Sequence, residues 1–383
     1  MTKAFICPYC FNEIKSGELE YICSECDTAI KEKELSVTEK NSKTKIKCRN
    51  DECSCQNVTK RRCPYDSCNH TIADALIHTK TTSFSLLGST GAGKTNCITV
   101  MLTELSKRNK NLNLALTPIT ADCRQKFELN KAQVYENRVK LDQTATGTEQ
   151  VDIFSVKNLK SNDILTFNIY DGAGESITSA NSSDPYSELT LRYIEYSESM
   201  MFLIDPLRFS NLRKQISNDA VQSSIADEGE NAISIINSIA EMYKNRNRLK
   251  YSQKIDKFVA IVLTKMDLFK DHFDQNGLLF ARNSNHPQLG YFNMEDCREV
   301  DKELTEWLIE NDQEDFVRSL KEHFYFDKKG FKEKKCFLFG ISAFGKKPDI
   351  EGSLPEIHPH RVLDPLLWLM AKQGFIDCRE GMR

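Results

Sequence analysis

The fold is decided by one continuous stretch, Thr81-Thr-Ser-Phe-Ser-Leu-Leu87 followed by Gly88-Ser-Thr-Gly-Ala-Gly-Lys-Thr95. The first seven residues form a short β-prone run without helical periodicity. The glycines after it let the backbone curl so that successive N–H groups point inward, and a helical segment continues to about Arg108. A strand, a glycine loop and a helix in this order predict a phosphate-binding loop.

The residues of this loop have distinct predicted roles. Lys94 would reach the β- and γ-phosphates of a nucleotide, and the Thr95 hydroxyl would ligate Mg2+. The partial positive charge at the helix amino terminus would add to the attraction. We predict nucleotide contacts from Gly88, Ser89, Thr90, Gly91, Ala92, Gly93, Lys94, Thr95 and Asn96.

Three further motifs each follow a predicted strand. They are Asp171-Gly-Ala-Gly174-Glu175 after Ile164–Tyr170, Thr264-Lys265-Met266-Asp267 after Phe258–Leu263, and Ser342-Ala343 after Cys336–Ile341. Asp171 can hold a Mg2+-bound water, and the Gly174 N–H can face a γ-phosphate. Because ligands of open parallel sheets bind at the carboxyl ends of the strands, the four motifs predict one common site.

In their order and composition these motifs resemble those of the P-loop GTPases, the large class that includes Ras-like and translation-factor GTPases. The resemblance covers residues 78–383. It implies a three-layer α/β fold with a mostly parallel sheet, GTP and GDP as ligands with Mg2+, and hydrolysis of GTP to GDP and phosphate. It also implies that Asp267 pairs with the guanine edge, that Lys265 packs over the base, and that the Ala343 N–H meets the guanine carbonyl. Thr264 stands where asparagine is commoner in the family.

The chain departs from the Ras-like pattern at Glu175, where those proteins carry a glutamine that positions the attacking water. We predict catalytic roles for Lys94, Gly174 and Glu175, and whether Glu175 orients water or slows turnover stays open. Arg192 and Arg208 are candidates for an internal arginine that stabilises charge on the phosphates. Long spacings between the motifs indicate insertions around the core.

The switch region between the phosphate loop and the second motif spans residues 109–150 and is rich in Asn, Lys and Thr. Its Mg2+-ligating threonine should lie shortly before the strand predicted at Val151–Val156. We choose Thr148, with Thr146 as the alternative. The predicted Mg2+ ligands are therefore Thr95, Thr148 and Asp171.

Nine of the 14 cysteines lie in the first 68 residues, and eight of these form four pairs of closely spaced cysteines. The amino terminus reaches Cys7 before a signal-peptide core could form, so we expect a cytoplasmic protein, in which clustered thiols are metal ligands rather than disulfides. Two thiolates held two residues apart can grip one side of a tetrahedral ion, and a second pair closes the shell.

By sequence proximity we predict two structural Zn2+ sites in a tandem zinc ribbon. The first would use Cys7, Cys10, Cys23 and Cys26, and the second Cys48, Cys53, Cys63 and Cys68, with Cys55 and His70 as alternative ligands. Each ribbon is too short to bury a self-sufficient core, so metal binding would supply folding energy. The five later cysteines (97, 123, 297, 336 and 378) are predicted to be buried apolar residues.

The sequence thus divides into tandem zinc ribbons at residues 1–75 and a GTPase domain with insertions at residues 76–383. Lysines and arginines at 40–62 could contact nucleic acid, but acidic residues lie among them and no aromatic series is interleaved, so we favour a solvated surface. The formal net charge of −3 agrees with this preference. A protein effector or regulator is the expected partner.

Composition and texture narrow the remaining classes. A chain of 383 residues with 40 % apolar and 28 % charged residues is typical of a globular protein. Its longest apolar runs are far shorter than the ~20 residues of a membrane span. Zinc ribbons before such a GTPase resemble bacterial GTPases of conflict systems, which implies antiviral defence. A catalytically weak nucleotide-binding adaptor and an RNA-associated GTPase factor stay open as alternatives.

Overall fold

The structure is a computed structural model that describes residues 4–41, 46–78, 80–88, 92–142, 151–170, 185–216, 232–273, 277–281, 283–284, 286–327, 333–346, 348–349 and 352–380. The chain divides into two compact units, Met1–Thr81 and Thr82–Arg383. Within the described ranges, no helix combines the length and the apolarity that crossing a bilayer demands.

The amino-terminal unit consists of short strands and one-turn helices. Its strands are β1 (Phe5–Ile6), β2 (Glu13–Ile14), β3 (Glu20–Ile22), β4 (Ala29–Lys31) and β5 (Lys60–Arg62), and its helices are the 3-10 turn Glu32–Glu34, α1 (Val37–Asn41) and α2 (Asp74–His78). β1 and β2 pair in an antiparallel hairpin. β3 lies between β4 and β5 and is antiparallel to both. A few apolar residues, including Ile30, Leu35 and Val58, form a small core beside the cysteines.

The second unit is built on a seven-stranded sheet with the spatial order β13-β11-β10-β6-β9-β8-β7. These strands are β6 (Lys80–Gly88), β7 (Leu114–Pro118), β8 (Val151–Asn158), β9 (Ile164–Tyr170), β10 (Ser199–Ile204), β11 (Phe258–Leu263) and β13 (Cys336–Gly340). The strands β6, β10, β11 and β13 are parallel, and β8 pairs in an antiparallel manner with both β7 and β9. A separate parallel pair joins β12 (Phe292–Asn293) to β14 (Cys378–Arg379).

Helices cover both faces of this sheet. They are α3 (Lys94–Lys107), α4 (Asn109–Leu112), α5 (Ala121–Tyr135), α6 (Pro185–Tyr196), α7 (Ser210–Gln215), α8 (Ala232–Arg246), α9 (Leu278–Ala281), α10 (His286–Leu289), α11 (Met294–Glu310), α12 (Glu314–His323) and α13 (Asp364–Lys372), with 3-10 turns at Pro206–Arg208 and Met266–His272. Successive residues of β10 alternate between two cores: Met201 packs with α3, α5 and α13, and Phe202 packs with α8 and α12. A strand that is buried on both faces reads as a continuous apolar run, as Phe258–Leu263 does.

The predicted fold class, a three-layer α/β domain after a small cysteine-rich module, is confirmed. The strands predicted around the four motifs are present within a residue or two of their expected ends. Two helices, α11 and α12, follow β12, and α11 begins directly after it at Met294. Between them Asp312 has a φ of 60°, which ends one helix before the next begins. Of the five cysteines predicted to be buried, Cys378 is exposed on the short strand β14.

Candidate functional site

The loop after β6 is bounded by two glycines, which are required for different reasons: close packing at Gly88 and a positive φ at Gly93. A Cβ at residue 88 would lie 2.4 Å from the carbonyl oxygen of Leu203 on β10, so only glycine fits there. At the other end Gly93 has a φ of 76°, in the left-handed region, and is the N-cap of α3. Its carbonyl accepts the first helical hydrogen bond, from the Cys97 N–H at 2.8 Å. Helix α3 therefore begins at Lys94 with its amino terminus at the loop.

Lys94 folds over the start of the loop. Its Nζ donates a hydrogen bond to the Gly88 carbonyl at 3.0 Å, so the ammonium group lies at the residue where the loop begins. A cation held there can meet a phosphate that the loop N–H groups surround. The middle of the loop, Ser89, Thr90 and Gly91, lies outside the described residues.

Asn96 makes contacts that its place in the motif did not suggest. Its side-chain Nδ2 donates to the Leu141 carbonyl at 3.2 Å, and its Oδ1 accepts the Leu141 N–H at 2.9 Å. Both polar atoms of the amide are thus used to fasten the chain at Leu141. These bonds join the residue after Thr95 to the last third of the region predicted as the switch, residues 109–150.

The motif Thr264–Asp267 connects three neighbouring strands at their carboxyl ends. The Thr264 hydroxyl lies 3.3 Å from the carbonyl oxygens of Ala92 in the phosphate loop and Ile204 on β10. Lys265 has a φ of 55° and ψ of 29°, a left-handed conformation that is uncommon outside glycine. Its Nζ lies 2.6 Å from Asp205 Oδ2. The motif is thereby fixed against the phosphate loop on one side and against β10 beneath it.

Asp267 and Ser342 come together from adjacent strands. The Ser342 hydroxyl donates to Asp267 Oδ1 at 2.6 Å and accepts the Gly345 N–H at 2.9 Å. Ser342 is buried, whereas Asp267 is half-buried at the start of the 3-10 turn Met266–His272. Because the serine proton is directed to one oxygen, the carboxylate is held in one orientation with its second oxygen available to a ligand.

Several predicted site residues lie outside the described residues: Ser89, Thr90, Gly91, Thr146, Thr148, Asp171, Gly174 and Glu175. Of the predicted Mg2+ ligands only Thr95 is described, in the first turn of α3. Of the candidate arginines, Arg192 lies on α6 and Arg208 ends the 3-10 turn Pro206–Arg208.

The eight predicted zinc ligands do form two groups of four, but with different partners from those predicted. One group holds Cys7, Cys10, Cys63 and Cys68, and the other holds Cys23, Cys26, Cys48 and Cys53. The predicted groupings, Cys7/Cys10 with Cys23/Cys26 and Cys48/Cys53 with Cys63/Cys68, are wrong. The sites are nested along the chain instead of arranged in tandem.

Strand pairing explains the nested grouping. β5 ends directly before Cys63, and β3 ends directly before Cys23; the two strands pair with Ile22 opposite Lys60. This pairing returns the chain to the amino terminus, so that Cys63 and Cys68 meet the pair Cys7 and Cys10 instead of the nearer Cys48 and Cys53. Sequence distance along the chain carries no information about such a pairing.

The spacing of the sulfur atoms fits one tetrahedral ion in each group. Cys7 and Cys68 are 3.8 Å apart, as are Cys10 and Cys63, and in the inner group the Sγ of Cys26 lies 3.4 Å from that of Cys48. With a Zn–S distance of about 2.3 Å, a tetrahedron has an edge of about 3.8 Å. A disulfide would need about 2.05 Å. Both groups therefore fit Zn2+ and leave no open coordination position.

Each group contains thiols whose pKa lies below that of a free cysteine. The Thr28 hydroxyl beside its sulfur lowers the pKa of Cys26 to about 6, and the neighbouring Cys63 thiol lowers the pKa of Cys10 to about 7. Zinc ligation needs thiolates, so both shifts favour metal binding near neutral pH.

The alternative ligands Cys55 and His70 are neighbours of the two groups. His70 stacks on Tyr9 with the ring centroids 4.5 Å apart, and its Nδ1 lies 3.5 Å from the Cys68 sulfur. Cys55 is buried in the small core with Cys23. Neither belongs to a group of four among the described residues.

A third cluster of potential ligands, His286, Asp296 and Asp364, is buried in the second unit. Arg361 Nη1 lies 2.8 Å from a carboxylate oxygen of both Asp296 and Asp364. The guanidinium thus takes the place that a metal ion would occupy, and the Arg361 Nη2 also donates to the Leu278 carbonyl at 2.8 Å. We interpret this cluster as a structural ion network that fastens α9, α11 and α13 together.

Sequence reasoning missed Asp205, which pairs with Lys265. It directly follows the apolar strand β10 and so lies at the same edge of the sheet as the four motifs. The one signal in the sequence that could have indicated Asp205 was its position, because a carboxylate directly after a buried strand lies at the ligand-binding edge of the sheet.

The chain has distant likenesses among known structures. It is similar to the GTPase-like domain of Ski7 from S. cerevisiae bound to GDP and inorganic phosphate, with 16 % identity over 78 % of this chain and 50 % of that one and a TM-score of 0.29. It is similar to the small GTPase Arl6 BBS3 from Trypanosoma brucei with bound GppNp, with 12 % identity over 69 % of this chain and 88 % of that one and a TM-score of 0.27. It is also similar to Roco2 RocCORdC from Methanosarcina barkeri bound to GDP, with 10 % identity over 77 % of this chain and 49 % of that one and a TM-score of 0.28.

The chain spans about half the length of the Ski7 and Roco2 chains that it matches. No protein-family model matches it, and no curated protein gives a significant match. With likenesses this distant, an assignment has to be argued from the residues of the site.

Proposed function

We propose that the second unit binds GTP, hydrolyses it to GDP and phosphate, and uses the bound nucleotide as a conformational switch. The observation that carries the proposal is the convergence of three motifs at the carboxyl ends of parallel strands in one sheet. The loop Gly88–Lys94 follows β6, Thr264–Asp267 follows β11, and Ser342 follows β13. The contacts from Thr264 to Ala92 and from Ser342 to Asp267 join them into one surface.

The base end of this surface is chemically matched to guanine. Guanine presents two donors on one edge, the ring N1–H and the 2-amino group, and a carboxylate accepts both at once. Adenine presents an acceptor at N1 and has no 2-amino group, so Asp267 would face a lone pair. Each charge-assisted hydrogen bond is worth about 1.5–3 kcal/mol, which favours GTP over ATP by roughly 10²-fold.

At the phosphate end the protein works by positioning charge. The Lys94 ammonium and the N–H groups at the start of α3 would lie against phosphate oxygens and stabilise the charge that builds up as the bond to the γ-phosphorus breaks. Thr95, with the predicted ligands Asp171 and Thr148, would hold Mg2+, which neutralises further phosphate charge when bound. Glu175 would orient the attacking water, whose oxygen forms the new bond to phosphorus and whose proton leaves with the phosphate product.

A direct test compares nucleotide binding by the wild-type chain with binding by Lys94→Ala. We expect the wild-type protein to bind a fluorescent GTP analogue, to release it to unlabelled GTP but not to equimolar ATP, and to release phosphate over repeated turnovers. Lys94→Ala should lose both activities while its unfolding temperature stays the same, because Lys94 lies beside the glycine loop and outside the apolar core. Binding without any turnover would instead support a nucleotide-binding adaptor.

We also propose that the amino-terminal unit carries two Zn2+ ions and docks a protein effector. Several of its basic side chains are already paired with acids: Arg49 Nη2 is 2.9 Å from Glu39 and Arg62 Nη2 is 3.0 Å from Glu20. Paired cations offer less to phosphates, which supports a protein partner over nucleic acid. In a gel-shift titration at low salt, the chain should not retard the migration of RNA. Retardation that disappears in about 200 mM salt would instead indicate binding to the RNA phosphates.

The resemblance to GTPases of bacterial conflict systems supports a role in antiviral defence as the setting of this switch. The test is a phage challenge of cells that express the chain with its neighbouring genes. Protection by the wild-type chain and loss of protection with Lys94→Ala would support the role, whereas equal plaque counts would remove it.

A further inference from the structure

We propose that Asp205 is a positioning residue of the nucleotide site, which holds Lys265 in place to receive the base. The inference rests on the proposed function of the second unit as a guanine-nucleotide site. Asp205 directly follows β10 and is 3 % exposed. Its Oδ2 lies 2.6 Å from Lys265 Nζ, whereas the Lys265 side chain is 40 % exposed.

The position of this ion pair in the sheet determines the side toward which the Lys265 side chain extends. β10 lies between β11, which leads into Lys265, and β6, which leads into the phosphate loop. The bond to Asp205 therefore draws the lysine from its own loop toward the phosphate-loop side of the sheet. The neighbouring Thr264 hydroxyl reaches the same side at Ala92, while Asp267 contacts Ser342 on the opposite side. The motif Thr264–Asp267 thus has contacts on both sides of its own strand, and Lys265 is held between them by Asp205.

Holding the lysine there has two physical effects. A free lysine side chain has many rotamers, and a ligand that used it would have to order it first. The buried carboxylate orders it in advance and leaves its exposed aliphatic stem as a ready surface for a flat ring. The ammonium also neutralises Asp205, which would otherwise place a buried negative charge beside a site for phosphates.

Asp205 also caps a turn, and the experiment must separate this role from the positioning of Lys265. Its Oδ1 accepts the Leu207 N–H at 3.0 Å and so caps the 3-10 turn Pro206–Arg208. Asp205→Asn keeps an oxygen that can accept this bond and removes the negative charge that Lys265 requires. Asp205→Ser also keeps a capping oxygen, is smaller, and serves as the second variant.

The experiment measures dissociation constants of fluorescent GDP and of competing GTP and ITP for five full-length proteins: wild type, Asp205→Asn, Asp205→Ser, Lys265→Met, and Asp205→Asn combined with Lys265→Met. Each single variant should weaken GTP binding about tenfold, the size of one lost ordering contact of a lysine. GTP and ITP should weaken by the same factor, because ITP lacks only the 2-amino group, which Asp267 reads. In the double variant Asp205→Asn should add less than about twofold to the effect of Lys265→Met.

The outcomes separate this inference from the proposed function. If the wild-type chain binds no guanine nucleotide, the proposed function fails and the inference fails with it. If the wild type binds and both Asp205 variants bind equally well, only the inference is overturned. A tenfold loss of GTP affinity on adding Asp205→Asn to Lys265→Met would also overturn the inference. Such a loss would show that Asp205 acts through its turn cap, which does not require Lys265.

Discussion

Replacing Asp267 by Asn should change the base that this protein selects from guanine to xanthine. The Ser342 hydroxyl accepts the Gly345 N–H at 2.9 Å and so directs its own proton to Asp267 Oδ1, at 2.6 Å. An asparagine at this position would keep its oxygen on the serine, and its NH2 group would replace Oδ2. The variant therefore presents a donor where the wild-type protein presents an acceptor.

The size of the switch follows from the hydrogen bonds involved. Guanine has a 2-amino donor where xanthine has a 2-oxo acceptor. In Asp267→Asn the amide N–H faces the 2-amino group, so at least one charge-assisted bond of about 1.5–3 kcal/mol is lost and two donors oppose each other. GTP affinity should fall roughly 10²-fold, and XTP affinity should rise by a similar factor. The phosphate site is unchanged, so the variant should still prefer triphosphates to nucleosides.

The assay is competition of GTP, ATP and XTP against a fluorescent nucleotide on both proteins. Asp271→Asn is the matched control, because Asp271 is exposed on the same 3-10 turn and should leave all three affinities as they are. A wild-type preference for ATP, or a variant without a shift toward XTP, would remove Asp267 from the base site and refute the reasoning.

Three further predictions concern the phosphate loop, the zinc groups and the water-positioning residue. Lys94→Ala should abolish nucleotide binding with unchanged thermal unfolding, and undiminished phosphate release from this variant would contradict the site. Cys10→Ser should lower zinc content, measured by atomic emission, from two ions to about one per chain; Cys26→Ser should lower it further, because the inner group supports β3, on which the outer group depends. More than one zinc in Cys26→Ser would contradict the assignment of Cys26 as a zinc ligand. Glu175→Gln should lower GTP turnover at least tenfold, since water-positioning groups contribute about 10²–10⁴-fold, and faster turnover would show that Glu175 slows the reaction.

The strands and their motifs could be predicted because each is a local pattern. β11 is an uninterrupted apolar run that ends in Thr264, and the loop before Lys94 carries its glycines at fixed spacing. The helix boundaries were less predictable. The end of α11 depends on the left-handed conformation of Asp312, which other polar residues of the segment could have adopted instead. Asn96 shows the same limit within a motif: its partner, Leu141, lies 45 residues away.

The sequence by itself predicted the chemistry that we propose for this protein: which eight thiols would hold metal, which loop would surround phosphates and which carboxylate would read guanine. These properties depend on residue type and short spacing, which a linear chain displays directly. Only the tertiary structure decided which cysteines share an ion and that Asp205 holds Lys265. Both depend on which strands lie side by side, β3 with β5 and β10 with β11. Strand pairing is set by the burial of whole faces across long sequence separations, so it joins residues that no local pattern connects.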